Sequence, residues 1–242
     1  LAEALQTNTT LHSLHLEHPG RGSEVALAVL PVQELNGNRS VEQIDLWDVG
    51  FTVEETDKKD NRVPAALHRW ACAVVGALLA VNKTVKSLRL NPGSSSEGGG
   101  VLEQLQRAKA STLSTLNLSK ISLGDRGGTR FFESLQQGMC LFLKELKLSS
   151  NKLTDSAIGI LFVEVLRTEQ CAITSLDISN NAISANVIAR AIKLNHSLTA
   201  LDVRDNPIED DGLWMMGGLL LSDECQCQLS SLKCYAFEIE SD

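Results

Sequence analysis

Two groups of side chains in this chain have spacings at which chemistry is conceivable. Cys225, Cys227 and Cys234 form the one cysteine cluster, and a Cys-x-Cys pair ahead of a third cysteine can hold zinc through thiolates or oxidise to a disulfide. His12, His15 and His18 recur at three-residue intervals beside Glu17, an arrangement that offers imidazole nitrogens and one carboxylate to a metal. Neither group is complete. The histidines lack a cysteine or a second carboxylate at matched spacing, and the chain has no nucleophile elbow, zincin helix or nucleotide fingerprint. The Ser- and Gly-rich stretch 92–100 lacks the lysine and following Ser/Thr of a phosphate-binding loop. Buried thiols at apolar positions and histidines on a soluble face are the simpler reading. The expectation is a chain that is not an enzyme and carries no metal and no cofactor.

The elements that would position any site must come from a chain of 242 residues, 43% hydrophobic and 21% charged. That composition suits one folded body rather than a disordered chain. Aromatic residues are only 4%, so aliphatic packing carries the core. Thirty acidic against twenty-two basic side chains give a formal charge of -8, a field that repels phosphate backbones where no basic patch is segregated. Nucleic acid is therefore not an expected partner. The richest apolar run, 70–81, is short of the eighteen or so residues of a membrane span and reads as a buried helix. The six cysteines follow no paired framework, which fits reduced thiols and a cytoplasmic protein.

The dominant signal is a repeat. A spacing of aliphatic, two variable, aliphatic, one variable, apolar runs through Leu11, Leu14, Leu16; Val41, Ile44, Leu46; Val85, Leu88, Leu90; and Leu113, Leu116, Leu118. It continues as Leu143, Leu146, Leu148; Ile173, Leu176, Ile178; Leu198, Leu201, Val203; and Leu229, Leu232, Cys234. Three of these eight blocks extend into LKELKLSSNKL, ITSLDISNNAI and LTALDVRDNPI, which place Asn151, Asn181 and Asn206 at one position. An asparagine there can satisfy backbone groups left unpaired where the chain leaves a strand. The chain thus resembles the leucine-rich-repeat family. Intervals of 30, 44, 28, 30, 30, 25 and 31 residues between block starts resemble the ribonuclease-inhibitor-like class, in which a helix follows each strand.

That resemblance implies an α/β solenoid, a right-handed horseshoe with a parallel sheet on its concave face and helices on its convex face, spanning 1–242 as one domain of about eight repeats. Ile158, Leu161, Phe162, Val165 and Leu166 recur at helical spacing after a cap at Thr154 or Asp155. Ile188, Ala191 and Ile192 mark a shorter helix, and Leu213, Met216 and Leu220 another. The long interval contains an inserted polar loop, 52–65, which is a surface excursion or a binding element. Asn8, Asn38, Asn82, Asn117 and Asn195 each stand in an Asn-x-Ser/Thr glycosylation pattern. Four of them precede a strand at the same repeat position, so the repeat itself explains them as a polar turn.

Alternation along a strand sends the triplet inward and the intervening residues to solvent. The solvent row then reads His15, Asp45, Arg89, Asn117, Lys147, Asp177, Asp202 and Lys233, with Trp47, Arg204 and Tyr235 in the row beyond. Charges of both signs alternate along it, and Trp47 and Tyr235 are its aromatic anchors, a composition suited to a protein partner. By resemblance, such repeats occur in nucleotide-binding immune receptors, Ran GTPase-activating proteins and tropomodulin-like actin regulators. The leading expectation is a protein-binding scaffold acting through that face, with activation of a Ran-type GTPase as the alternative and a thiol or zinc enzyme as a third. The chain begins at Leu1 within a repeat, so a piece of a longer protein is expected.

Overall fold

A leucine-rich triplet supplies only three or four residues of extended chain before a turn, and the strands are correspondingly short. A computed structural model of the protein describes residues 7–15, 37–46, 83–90, 112–138, 141–168, 171–223, 225 and 227–234. The strands are β1 (Ser13–His15), β2 (Gln43–Leu46), β3 (Ser87–Leu90), β4 (Thr115–Asn117), β5 (Glu145–Lys147), β6 (Ser175–Asp177), β7 (Ala200–Asp202) and β8 (Ser231–Lys233). They lie side by side in chain order and every neighbouring pair is parallel. Parallel neighbours need a crossover between them, and the repeat supplies one each time.

The middle leucine of each triplet is in register with the next, from Leu14 to Ile44, Leu88, Leu116, Leu146, Leu176, Leu201 and Leu232. All but Leu232 are buried. Leu232 sits on the terminal strand, with a neighbour on one side, and is half-buried. The described helices are α1 (Gly124–Gln136), α2 (Asp155–Ile160), α3 (Ala185–Leu194) and α4 (Asp210–Leu220), with a single wider π-turn, Leu161–Val165, prolonging α2. Their apolar faces join the strand leucines in one cluster, led by Phe131 and Phe132, Ile158, Leu161 and Ile188. The helices therefore cover one face of the sheet and leave the other to solvent. This is an α/β solenoid.

The expected helix after residue 154 forms, and all five of its apolar side chains are buried. Thr154 is its cap, accepting from the Ser156 N–H at 3.3 Å. Asp155 instead accepts from Ser184, at the cap of α3. The expected helix through Leu213, Met216 and Leu220 forms as α4; Met216 is buried, Leu213 half-buried and Leu220 39% exposed. The helix packs on α3 through Gly212, against Ala185. Trp214 and Leu221 are exposed at 82% and 89% and make, with Gly217 and Gly218, an uncovered stripe at i, i+3, i+4, i+7.

Adjacent repeats are tied by polar side chains as well as by the sheet. Asn151 donates to the carbonyls of Leu118 (2.8 Å) and Leu148 (3.0 Å) while its oxygen accepts from the N–H groups of Ile121 (3.1 Å) and Leu123 (3.2 Å). Asn181 does the same one repeat on, donating to Leu148 and Ile178 and accepting from Asn151 and Leu153. Asn206 donates to Ile178 and Val203 and accepts from Ile183. The residue before each asparagine, Ser150, Asn180 or Asp205, has a left-handed backbone, as does Lys120 in the repeat before. That sharp turn exposes the backbone groups the amide then satisfies.

A second polar row closes the helix-to-strand turns. Asn38 and Asn195 are each 3% exposed, and their oxygens accept from the two N–H groups that open the next strand segment, Ser40 and Val41 or Ser197 and Leu198. The hydroxyls two residues later also point back: Ser40 donates to Leu11 O at 2.8 Å, and Thr84 to Val41 O at 3.0 Å. Both polar members of the Asn-x-Ser/Thr pattern are thus consumed by the backbone. Residues 52–65, the run 70–81 and the stretch 92–100 lie outside the described residues, as does Asn82.

Candidate functional site

The solvent face of the sheet carries one residue per strand in strict register: His15, Asp45, Arg89, Asn117, Lys147, Asp177, Asp202 and Lys233. Neighbours in such a row stand about 4.8 Å apart. Their charges interact directly. Asp45 Oδ2 meets both His15 Nδ1 at 3.1 Å and Arg89 Nη1 at 3.3 Å, which links the side chains of three strands. Lys147 folds back onto Glu145 of its own strand at 2.9 Å. The Arg204 guanidinium embraces Asp202 with two nitrogens, at 3.0 and 2.7 Å.

The order of charges is less regular than strict alternation. Arg89 and Lys147 flank the neutral Asn117, and the acids Asp177 and Asp202 are direct neighbours on β6 and β7. Burial pushes the Asp202 carboxyl up, but the hydrogen bonds and charge of Arg204, helped by Lys233, outweigh it and hold the group below its usual range. Only 12% of the Asp202 side chain is exposed, against 50% for Arg204. The reciprocal effect raises the Arg204 pKa through the same hydrogen bond.

Part of this row has structural work that inspection of the sequence missed. Asn117 and Asp177 each accept, through Oδ1, the backbone N–H two residues on, from Ser119 or Ser179 at 3.0 Å, and Asp202 accepts from Arg204 at 3.2 Å. These are turns closed by a short polar side chain at the strand end. The cations at the same register, Arg89, Lys147 and Lys233, have no acceptor to offer such a turn. Trp47 and Tyr235, the expected aromatic anchors, lie outside the described residues.

Outside the sheet face, a further link was also missed. Asp125 at the start of α1 accepts from the Thr154 N–H (2.8 Å) and hydroxyl (2.6 Å), and Asp155 accepts from the Ser184 N–H and hydroxyl, both at 2.7 Å. The first carboxylate of α1 and that of α2 thereby each fasten the cap of the next helix. The repeat spacing carries the signal, since Asp125 and Asp155 are equivalent and so are Thr154 and Ser184.

The cysteines are less buried than expected. Cys171, Cys225, Cys227 and Cys234 are free and all half-buried, because they occupy turns and the terminal strand rather than the central triplets. Burial pushes the Cys171 thiol up. Among the described residues no three His, Cys, Asp or Glu side chains gather as metal ligands. His12 meets Ser40 O at 3.2 Å and His15 meets Asp45, while Glu17 and His18 fall outside the described residues. No helix among the described residues is long and apolar enough to cross a membrane.

Known proteins carry the same patterns. A family model described as "Leucine Rich repeat" matches residues 140–158 and 194–215. Mouse (Mus musculus) NACHT, LRR and PYD domains-containing protein 14 is 24% identical over 237 residues, 96% of this chain, and this chain spans only 22% of that protein's length. Among solved structures, the actin-binding site 2 of leiomodin-1 covers 60% of this chain and 82% of its own at 19% identity and TM-score 0.49. Internalin C2 of Listeria monocytogenes covers 97% of this chain and 84% of its own at 15% identity and TM-score 0.45. With eight in-register leucine strands and the asparagine turns already in place, the chain is built from leucine-rich repeats, two stretches of which the family model matches.

Proposed function

We propose that this chain is a protein-recognition module that binds its partner on the solvent face of the sheet, without catalysis. Leucine-rich-repeat domains generally mediate protein-protein interaction, and the single observation that carries the reading here is the eight-residue row in register across every strand. Neighbouring acids at Asp177 and Asp202, with Arg204 beside them and Lys233 on the next strand, give that row a local charge pattern a protein surface can complement. The mouse relative's name puts leucine-rich repeats in one chain with NACHT and PYD domains. We read this chain as the repeat module of a larger cytoplasmic protein of that build.

Site-specific photo-crosslinking tests the reading. A crosslinker placed at the exposed position 233 of the row should capture a protein from cells, and one at the exposed helix position 190 should not. Capture from position 190 alone would overturn the assignment. Reversing Asp177, Asp202 and Arg204 together (Asp177→Lys, Asp202→Lys, Arg204→Glu) keeps a pair at 202 and 204 and should abolish capture while preserving the fold. Adding the protein to a Ran-type GTPase should leave its GTP hydrolysis rate unchanged; stimulation would favour the regulator reading instead.

A further inference from the structure

The turn that leads into β8 departs from its counterparts in chemistry. Three residues before the first leucine of the β7 block stands Asn195, whose buried amide pins the turn. Three residues before Leu229, the equivalent place in the β8 block, stands Gln226, flanked by Cys225 and Cys227. The two sulfurs face each other: Cys225 Sγ lies 3.1 Å from Cys227 Sγ. The Cys225 N–H is fixed to Ser222 O at 2.9 Å, anchoring the pair to the end of α4. Both thiols are half-buried, so they rest on the core cluster yet remain open to small reagents. Neither a third thiol nor an imidazole or carboxylate joins them among the described residues, which leaves a two-sulfur site rather than a four-ligand zinc centre.

We propose that Cys225 and Cys227 form an oxidisable dithiol that closes to an intramolecular disulfide by exchange with a low-molecular-weight disulfide such as oxidised glutathione. Burial first, and the neighbouring thiol second, push the Cys227 thiol up. The Cys225 thiol gives its proton to water, and its thiolate attacks one glutathione sulfur. The S–S bond of the reagent breaks and one glutathione thiolate leaves. Cys227 then loses its proton and attacks Cys225 Sγ, forming the protein disulfide and expelling the second glutathione. Two protein thiols are oxidised and one small disulfide is reduced to two thiols. From 3.1 Å the sulfurs need approach by only about 1 Å to bond. The closed ring would hold covalently a turn that the preceding repeat holds by an asparagine, next to the strand where Leu232 is least buried.

Equilibration of the whole chain with glutathione buffers of increasing oxidised fraction, followed by alkylation and peptide mass analysis, decides the matter. Cys225 and Cys227 should lose alkylation together at least tenfold in the more oxidising buffers, with no glutathione retained, while Cys171 and Cys234 stay alkylated. Cys227→Ser should instead accumulate a glutathione adduct on Cys225, and Cys234→Ser should leave the pairing unchanged. Persistent alkylation of both thiols in the most oxidising buffer, stable glutathione adducts on the unsubstituted protein, or pairing of either thiol with Cys234 would each overturn the proposal.

Discussion

The backbone N–H of Asn151 donates to the side-chain oxygen of Asn181 at 3.0 Å, so the first rung of the asparagine ladder is held by the second. Asn151 is fully buried and itself serves two carbonyls and two N–H groups. Removing its amide strands four backbone groups in the interior, and each unsatisfied group costs about 1–3 kcal/mol. With partial relaxation, Asn151→Ala should lower unfolding stability by roughly 3–5 kcal/mol. Asn206, half-buried and accepting from Ile183, should cost less when truncated. Urea unfolding of the two variants gives the order; equal losses would mean that the ladder is not what stabilises these turns.

The Asp202 carboxyl sits below its usual range, held there by Arg204 against the opposing effect of burial. A depressed folded-state pKa means the unfolded chain takes up the proton first as pH falls. The stabilisation is then complete above the ordinary aspartate range near 3.8 and is lost as pH drops through the lower folded value. Asp202→Asn should flatten this part of the acid limb, leaving a shallower fall of stability below pH about 4. Denaturant titrations at a series of acid pH values check it, and parallel profiles for the two proteins would refute the assignment.

How much of this was legible beforehand depends on whether a residue's role is shared by every repeat. The strands and their register follow from an aliphatic triplet recurring eight times, and Leu88, Leu116 and Leu146 lie where that triplet puts them. The asparagine turns were readable for the same reason. The carboxylate fastenings at Asp125 and Asp155 recur only once, and an aspartate before a helix already has an ordinary explanation as a cap. The exposure of Leu220 has a different origin. Helical spacing names the residues of one face but not how deeply each is covered: Met216 is 2% exposed and Leu220 39%. The turn-closing role of Asn117, Asp177 and Asp202 competes with their availability to a partner, a conflict that alternation alone does not reveal.

Two glycines of α4 should respond to alanine with opposite signs. A methyl group at Gly212 would overlap the Ala185 side chain and lie 3.3 Å from Ile208 Cγ2, whereas one at Gly217 meets nothing within 4 Å. Glycine in a helix interior costs about 0.5–1 kcal/mol relative to alanine. Gly217→Ala should therefore stabilise the protein by up to that amount, while Gly212→Ala should destabilise it by roughly 1–3 kcal/mol through overpacking against α3. Thermal melts of both variants test the packing directly. A stable Gly212→Ala protein would mean that α3 and α4 are further apart than described.

The paired bonds from Thr154 to Asp125 link α1 to the cap of α2, and those from Ser184 to Asp155 link α2 to the cap of α3. Stability in a solenoid is a sum of repeat and nearest-neighbour terms, so a broken fastening should be felt locally. Asp125→Ala and Thr154→Val should each destabilise the protein, and together by less than the sum of the two, with a coupling of roughly 1–2 kcal/mol. Hydrogen exchange in Asp125→Ala should quicken first in α1 and at the start of α2, with β7 and α4 protected as before. Uniform acceleration along the whole chain would show that these repeats unfold as one unit, and that the carboxylate acts on the global equilibrium rather than on one junction.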